Sequence, residues 1–387
     1  MLAAPIRTKL CEEGALPSNG LAWATCSMQG WRMHQEDSHL VTPQVSASGP
    51  WREASLFGVF DGHGGPEVAR FVAAHLPAEL ASSTDDNQGL QPKAITASLS
   101  AAFLHLDKAL RTEAAREELR RLGGAFRASG AECVGTTAVV CCLHGRDIAV
   151  AWAGDSRAVL ARGKRAVALT ADHKPENPKE RQRILSAGGR VLLVEGETVH
   201  RVAFDGAPMA LNMSRSIGDL AFKARPWKSA EQQMVTAAPD VRRVRLKNSD
   251  RFILLACDGI WDMLSNQDAV DFVHQHLPSP GMPLAPVLEK LLDRCLSRNP
   301  VQTGGLGCDN MTAVLIRFGT TDAKISCGCS PPVAAGRSMG QKAKEKKAKK
   351  AKKANTKKAK KAMKVKKAKR KREHSSSSPS SSSSVPD

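Results

Sequence analysis

Phe57-Gly-Val-Phe-Asp61-Gly-His63-Gly-Gly65 is a short apolar run that ends abruptly in an aspartate and a glycine-rich turn. The same event recurs at Ile148-Ala-Val-Ala-Trp-Ala-Gly-Asp155-Ser-Arg157 and at Phe252-Ile-Leu-Leu-Ala-Cys-Asp258-Gly-Ile-Trp-Asp262. In Cys308-Asp309-Asn310-Met-Thr-Ala-Val-Leu-Ile316 an aspartate opens the run instead. Apolar runs of this length, bounded by glycine, read as buried strands. One carboxylate at a strand mouth is ordinary, but several converging would repel one another unless cations held them. A cluster of oxygen donors of this kind suits the hard ions Mg²⁺ and Mn²⁺.

Working outward, Trp23 to Val41 reads as a strand and a turn, and residues 1 to about 20 as a leader with little pattern. Pro66 to Ser82 has proline at its start, then Val68, Phe71, Val72, His75 and Leu76 at helical spacing. Ile95, Leu99, Phe103, Leu106 and Leu110 make the buried stripe of one or two helices between Pro92 and Leu122. Strands are expected at 135–143, 147–152, 158–162 and 166–170, separated by turns. A helix with capping-box spacing starts at Asn177 and stops at Gly188-Gly189. Further helices fit 265–277 and 284–297, and strands 252–257 and 311–318. Strands cluster with helices between them, without strict βαβ alternation, so the fold class is α+β with sandwiched antiparallel sheets.

The net charge of +19 over 387 residues is not spread evenly. Lys342 to Glu373 holds 19 basic and 2 acidic side chains, leaving 38 basic and 36 acidic for everything else. The expected division is a globular body at 20–318, a linker at 319–340, and a disordered Lys/Ala-rich and Ser-rich tail at 341–387. Such a tail has too little apolar bulk to bury a core. Lys366-Lys-Ala-Lys-Arg-Lys-Arg372 resembles a nuclear localisation signal. Without aromatics to stack on bases, any binding to nucleic acid would follow the phosphate backbone; an acidic partner would serve equally. The ten cysteines form no regular framework, and reduced thiols in a cytoplasmic or nuclear protein are expected. No stretch approaches the ~20 apolar residues of a membrane span, so no membrane association is expected. P-loop, zinc-protease and nucleophile-elbow signatures are all missing, and there is no tyrosine.

Taken together, Gln29-Gly-Trp-Arg32 with Glu36-Asp37, the Asp61-Gly-His-Gly-Gly65 turn, Gly135-Thr-Thr, Gly154-Asp-Ser-Arg157, Asp172-His-Lys-Pro175, Ser214-Arg-Ser-Ile-Gly-Asp219, Asp258-Gly-Ile-Trp-Asp262 and Asp309-Asn310 resemble the metal-dependent type 2C protein serine/threonine phosphatases, the PPM family. The motifs stand in the family's order and span about Gly20 to Phe318. The resemblance implies two packed antiparallel sheets flanked by helices, a four-layer αββα sandwich, with a two-metal centre at one edge.

It also implies roles. Asp61 would bridge two Mg²⁺ or Mn²⁺ ions, with the Gly62 carbonyl serving one and Glu36, Asp258 and Asp309 the other, Asp37 lying in or near the ligand shell. Asp155 and Asp262, with Asp258, would hold a weaker third ion. Arg32 would bind the substrate phosphate, and His63 would protonate the leaving serine or threonine oxygen after in-line attack by a metal-bridging hydroxide. Phosphoprotein substrates and a monomeric enzyme are expected. As isolated residues, Asp155 and Asp262 could equally be turn caps, and His63 could merely orient the Asp61 turn. Arg215 and Asp219 read as a structural ion pair or flap support, and His173 and Lys174 as turn residues without a chemical role. The rival reading is a nucleic-acid-binding protein with a vestigial phosphatase body. The approach between Val202 and Ser214 is longer than the family's usual one, which leaves substrate preference open.

Overall fold

Alternate residues of a single strand serve two different cores. The computed structural model describes residues 1–16, 20–82, 90–122, 132–193, 199–207 and 209–319. The linker and tail expected beyond these, including the 342–372 basic run, lie outside the described residues. In chain order the elements begin with β1 (Ile6–Leu16), β2 (Leu21–Gly30), β3 (Ser38–Thr42), β4 (Ala54–Phe60) and β5 (Gly62–His63). Three helices follow, α1 (Glu67–Ser82), α2 (Pro92–Ala109) and α3 (Glu113–Leu122). Next come β6 (Gly135–Thr136), β7 (Ala138–His144), β8 (Asp147–Ala153), β9 (Arg157–Arg162) and β10 (Arg165–Ala168). Helix α4 (Pro178–Ser186) leads to β11 (Arg190–Leu193), β12 (His200–Ala203), β13 (Ile217–Gly218), β14 (Asp240–Arg245) and β15 (Asp250–Ala256). The described chain closes with α5 (Asp258–Trp261), α6 (Asn266–His276), α7 (Ala285–Cys295) and β16 (Met311–Phe318).

Two antiparallel sheets carry the architecture, one ordered β1-β2-β16-β15-β9-β10 and the other β14-β8-β7-β4-β3. Phe57, Val59, Val139, Cys141 and Val150 of the second sheet meet Leu160, Ile253, Leu255, Val314 and Ile316 of the first in one buried cluster. Their sequence neighbours point the other way. Leu56, Phe60, Val140 and Cys142 pack under α1, α2 and α3, against Val72, Leu99 and Phe103 among others. Leu254, Ala256, Ala313 and Leu315 pack under α6 and α7, against Val270, Val273, Leu288 and Leu292. The result is the αββα sandwich. It also explains why these strands read as continuous apolar runs rather than alternating ones, because both faces are covered. Removing one fully buried ring, as in Phe57→Ala, costs about 3–5 kcal/mol in such a setting.

Four expectations need correction. Residues 6–16 are not a patternless leader but β1, an edge strand paired along β2. Reduced thiols throughout do not hold: the antiparallel register sets Cys11 directly opposite Cys26, and the two are joined by a disulfide. The Asn177 capping box does not form; Asn177 Nδ2 instead donates to the Asp172 carbonyl at 2.8 Å, and α4 opens on Pro178. The box at the start of α6 does form, between Ser265 and Asp268. Arg215 and Asp219 do not pair with each other, as described below. Among the described residues no helix is long and apolar enough to cross a membrane.

Candidate active site

The strand mouths deliver their carboxylates to one edge of the sandwich. Asp61 follows β4 and is pinned there from both sides: its N–H donates to Thr137 Oγ1 at 3.3 Å, and its carbonyl accepts from Thr137 N at 2.9 Å. Thr137 in turn shares a 2.8 Å hydrogen bond with Ser156, next to Asp155. Asp258 opens α5 directly after β15, and Asp309 stands before β16. The loop between β2 and β3, which carries Arg32, Glu36 and Asp37, is held by buried Asn310. Its Nδ2 donates to the carbonyls of Gln29 (2.8 Å) and His34 (3.0 Å), and its Oδ1 accepts from Glu36 N (2.9 Å). Gly62 lies so close to the Glu36 carbonyl that any side chain there would collide with it. That contact ties the Glu36–Asp37 loop to the Asp61 turn.

Electrostatically the edge is overloaded. Burial raises the Asp61 carboxyl well above the usual range, and Asp258, Asp37, Asp309 and Asp155 add to it. Burial does the same to Asp258, with Asp155, Asp309 and Asp262 contributing. Burial, aided by Asp309, pushes Asp37 up to about 7. Glu36 and Asp262 are raised for the same first reason. Both carboxylate oxygens of Asp37 and Oδ1 of Asp155 are buried without a hydrogen-bond partner. Orphaned buried carboxylate oxygens are costly, and hard divalent cations are what such donors accept. The side chains present therefore fit Mg²⁺ or Mn²⁺. Oxygens of Asp37 and Asp61 also come within 4.8 Å of the Cys257 sulfur and of each other. Cys257 is not a ligand candidate of the same kind. Burial holds its thiol well above its ordinary range, and the sulfur is already occupied, donating to the Asn310 carbonyl and accepting from Thr312 N at 3.1 Å.

One cation already reaches into the cluster. Lys174 Nζ lies 2.5 Å from Asp155 Oδ2, and Asp155 is 1 % exposed. Burial works against the ammonium, but Asp155, then Asp258 and Asp172, hold its pKa above the ordinary range. Arg157 is bound in two places by Asp172, at 2.7 and 2.8 Å, and closes the far side of the same turn. Lys174 thus has an electrostatic role that reading it as a turn residue missed. His173 beside it is structural: its ring stacks on Trp152 and its Nδ1 accepts from Gly154 N at 3.2 Å.

His63 Nε2 lies 2.8 Å from Asp219 Oδ2, across 156 positions of sequence. Asp219 has φ 50°, the left-handed region that aspartate tolerates better than most residues. Its carboxylate also accepts from Ser216 Oγ. The three-stranded arrangement β13-β6-β5 brings the two residues together, and a side chain at Gly135 would strike both the Asp219 carboxylate and the His63 ring. Burial works against the imidazolium, yet Asp219 holds the His63 pKa above its ordinary value, with smaller help from Asp155 and Glu36. Asp219 itself is held low despite burial, through His63. His63 Nδ1 is buried and has no partner. Arg32 projects at the exposed rim, with a guanidinium nitrogen 2.5 Å from Asp309 Oδ2. Arg215 pairs with Glu180 at 2.7 Å and with Asp240 at 2.9 Å, so it ties its own segment to α4 and β14 rather than to Asp219.

A family model described as Protein phosphatase 2C matches residues 22–304. The chain belongs to the protein phosphatase 2C family. Curated members share comparable lengths with it. "Probable protein phosphatase 2C 58" of Oryza sativa subsp. japonica is 37% identical over 353 residues, covering 82% of this chain and 88% of that protein. "Probable protein phosphatase 2C T23F11.1" of Caenorhabditis elegans is 38% identical over 315 residues, covering 81% and 79%. Among solved structures, a serine-threonine phosphatase 2C from Toxoplasma gondii superposes with a TM-score of 0.64 at 23% identity, covering 80% of this chain and 99% of its own. That likeness speaks for the fold. Near the stretch between Val202 and Ser214, Val202, Leu211 and Met213 pack in one buried cluster with Ile184, Phe222 and Met234.

Proposed function

We propose that this chain is a divalent-metal-dependent hydrolase of phosphoserine and phosphothreonine in proteins. The observation that carries the reading is the convergence of buried, partly unpartnered carboxylates beside the His63–Asp219 pair. Asp61, Glu36, Asp37, Asp258 and Asp309, with the Gly62 carbonyl, would hold two Mg²⁺ or Mn²⁺ ions, which when bound supply Lewis-acid charge and lower the pKa of a coordinated water toward about 7. Asp155 and Asp262, with Asp258, would take a third ion in competition with Lys174 for the Asp155 carboxylate.

The residues of the chain divide the remaining work. Arg32, at the exposed rim and paired through one nitrogen with Asp309, turns its planar fork onto phosphoryl oxygens and aligns the ester. Asp219 orients His63 through Nε2 and favours its protonated ring, which can then give a proton to the departing alkoxide. An alkoxide from serine or threonine is strongly basic, so that proton matters by about 10²–10⁴-fold. The intact carboxylate set and the oriented histidine favour an active enzyme over a vestigial body. The basic run at 342–372 supports a separable role in nuclear targeting or in binding a polyanion, and removal of residues 340–387 is expected to change localisation while peptide turnover persists.

The test is turnover of a phosphothreonine peptide by the purified full-length chain. Hydrolysis is expected with Mg²⁺ or Mn²⁺, none with a chelator, and none for Asp61→Ala or Asp258→Ala. Undiminished hydrolysis in chelator would overturn the reading.

A further inference from the structure

A cleft of about 580 Å³ lies between the C-terminal half of α2 and the segment 223–233. Its walls carry Lys108, Arg111, Lys223, Arg225 and Lys228 against a single carboxylate, Asp107. That carboxylate is spent within the fold: Asp107 Oδ1 accepts from Lys223 Nζ and, at 2.9 Å, from Gly218 N. Arg111 and Arg225 donate to backbone carbonyls only, those of Lys223 and Ala187. Among the described residues, Lys108, Arg111, Arg225 and Lys228 have no carboxylate partner.

The cleft is also built rather than incidental. Gln233 clamps its far wall, accepting from Arg225 N at 3.1 Å and donating to the carbonyls of Arg225 (2.8 Å) and Lys228 (3.0 Å). Arg225 is stacked over the Phe204 ring at 5.6 Å and the Trp227 ring at 6.0 Å, and Trp227 stands 71% exposed at this segment. Four uncompensated cations in a concave surface concentrate anions strongly. The floor is joined to the reaction site by one short path, because Asp107 holds Gly218 and the next residue, Asp219, holds His63.

We propose that this cleft is a second anion site for the substrate chain, one that takes a phosphorylated or acidic stretch flanking the phosphoresidue to be hydrolysed. The proposal rests on the phosphatase reading and adds a substrate class to it: phosphoproteins carrying clustered negative charge. Arginine forks and lysine ammoniums serve phosphate and carboxylate alike, so the sources are separated by experiment.

The full-length enzyme is assayed with Mn²⁺ on three sets of phosphothreonine peptides. They carry, at several spacings from the phosphothreonine, a second phosphate held as a non-hydrolysable phosphonate, a glutamate pair, or a neutral pair. The comparison variant is Lys108→Gln/Arg111→Gln/Lys228→Gln, all on the surface and outside the carboxylate cluster. The wild type is expected to prefer at least one anionic set through KM by tenfold or more, with kcat little changed. The triple variant should lose that preference, keep its KM for neutral peptides and keep its rate on p-nitrophenyl phosphate. Preference for phosphonate alone assigns the site to a phosphoresidue; preference for both assigns it to general acidity. Equal KM ratios in wild type and variant, or an equal loss on all peptides, would overturn the proposal. A wild type inert toward every peptide and toward p-nitrophenyl phosphate would instead count against the phosphatase reading. In that event the cleft is tested by anisotropy of the labelled phosphonate peptide, which the triple variant must bind at least tenfold more weakly for the site to stand.

Discussion

Asp219 orients His63. The 2.8 Å contact occupies Nε2 and leaves the buried Nδ1 without a partner. If His63 donates the proton to the leaving group, its loss should be felt in proportion to how badly that group needs one. His63→Gln is expected to lower kcat on a phosphothreonine peptide by about 10²-fold or more, but to leave p-nitrophenyl phosphate turnover within a few-fold, since nitrophenolate leaves unaided. Asp219→Asn should reproduce the same asymmetry at smaller size. Equal losses on both substrates would assign the pair a merely structural part.

The crowding of Asp37, Asp61 and Asp258 sets a stability signature that does not depend on turnover. Burial, with repulsion from neighbouring carboxylates such as Asp309, holds all three carboxyls high, so the metal-free fold carries an electrostatic cost at this edge. Mg²⁺ or Mn²⁺ at a hundredfold excess over its dissociation constant stabilises the native state by about 2.7 kcal/mol per site. Scanning calorimetry should show the melting temperature rising by several degrees with Mn²⁺ and falling back with chelator. Asp61→Asn should melt higher than wild type without metal, because one buried charge is gone, and gain less from Mn²⁺. A variant that gains as much as wild type would remove Asp61 from the binding set.

What could be read from the chain follows from how local each signal was. The aspartates at the strand mouths were legible because an apolar run and the carboxylate just beyond it are neighbours in sequence, as in β4 with Asp61 and β15 with Asp258. Partnerships between distant segments were not. His63 and Asp219 meet only because β5, β6 and β13 pair. Lys174 reaches Asp155 from 19 positions away, across a turn that looks unremarkable in sequence. Strand β1 escaped notice because it is a mostly exposed edge whose burial alternates weakly, and β14 because Asp-Val-Arg-Arg-Val-Arg spaces its two valines by three rather than two. The basic cleft had no linear signature, being assembled from α2 and a segment more than a hundred residues later.

Glu180 predicts where acid will loosen the joint between α4 and the segment carrying Ser214 and Arg215. It is buried, and although burial alone would raise its carboxyl, Arg215, Arg183 and Ser214 pull it down to about 2. Its unfolded value is about 4.3. The stabilisation is therefore fully present above pH about 4.3 and is lost as pH falls through about 2, a contribution of roughly 3 kcal/mol. Glu180→Gln should melt lower than wild type at neutral pH, and the gap between the two should close as pH falls through that window. A gap that stays constant with pH would show that the carboxylate's charge is not what anchors Arg183 and Arg215.

Lys174 and a third cation compete for one place. Its ammonium is the counter-ion nearest Asp155, whose carboxylate is almost wholly buried and has one oxygen already unpartnered. Lys174→Met leaves that charge uncompensated, and breaking a buried pair by removing one partner costs about 3–5 kcal/mol. The metal-free variant should accordingly melt several degrees below wild type. A divalent ion can then take the vacated position beside Asp155, Asp258 and Asp262, so the rise in melting temperature on adding Mn²⁺ should be larger in the variant than in wild type. Calorimetric titration should show the weakest Mn²⁺ site tightening. If the two proteins respond to Mn²⁺ identically, Lys174 serves only as a fixed brace for Asp155 and does not gate a third ion.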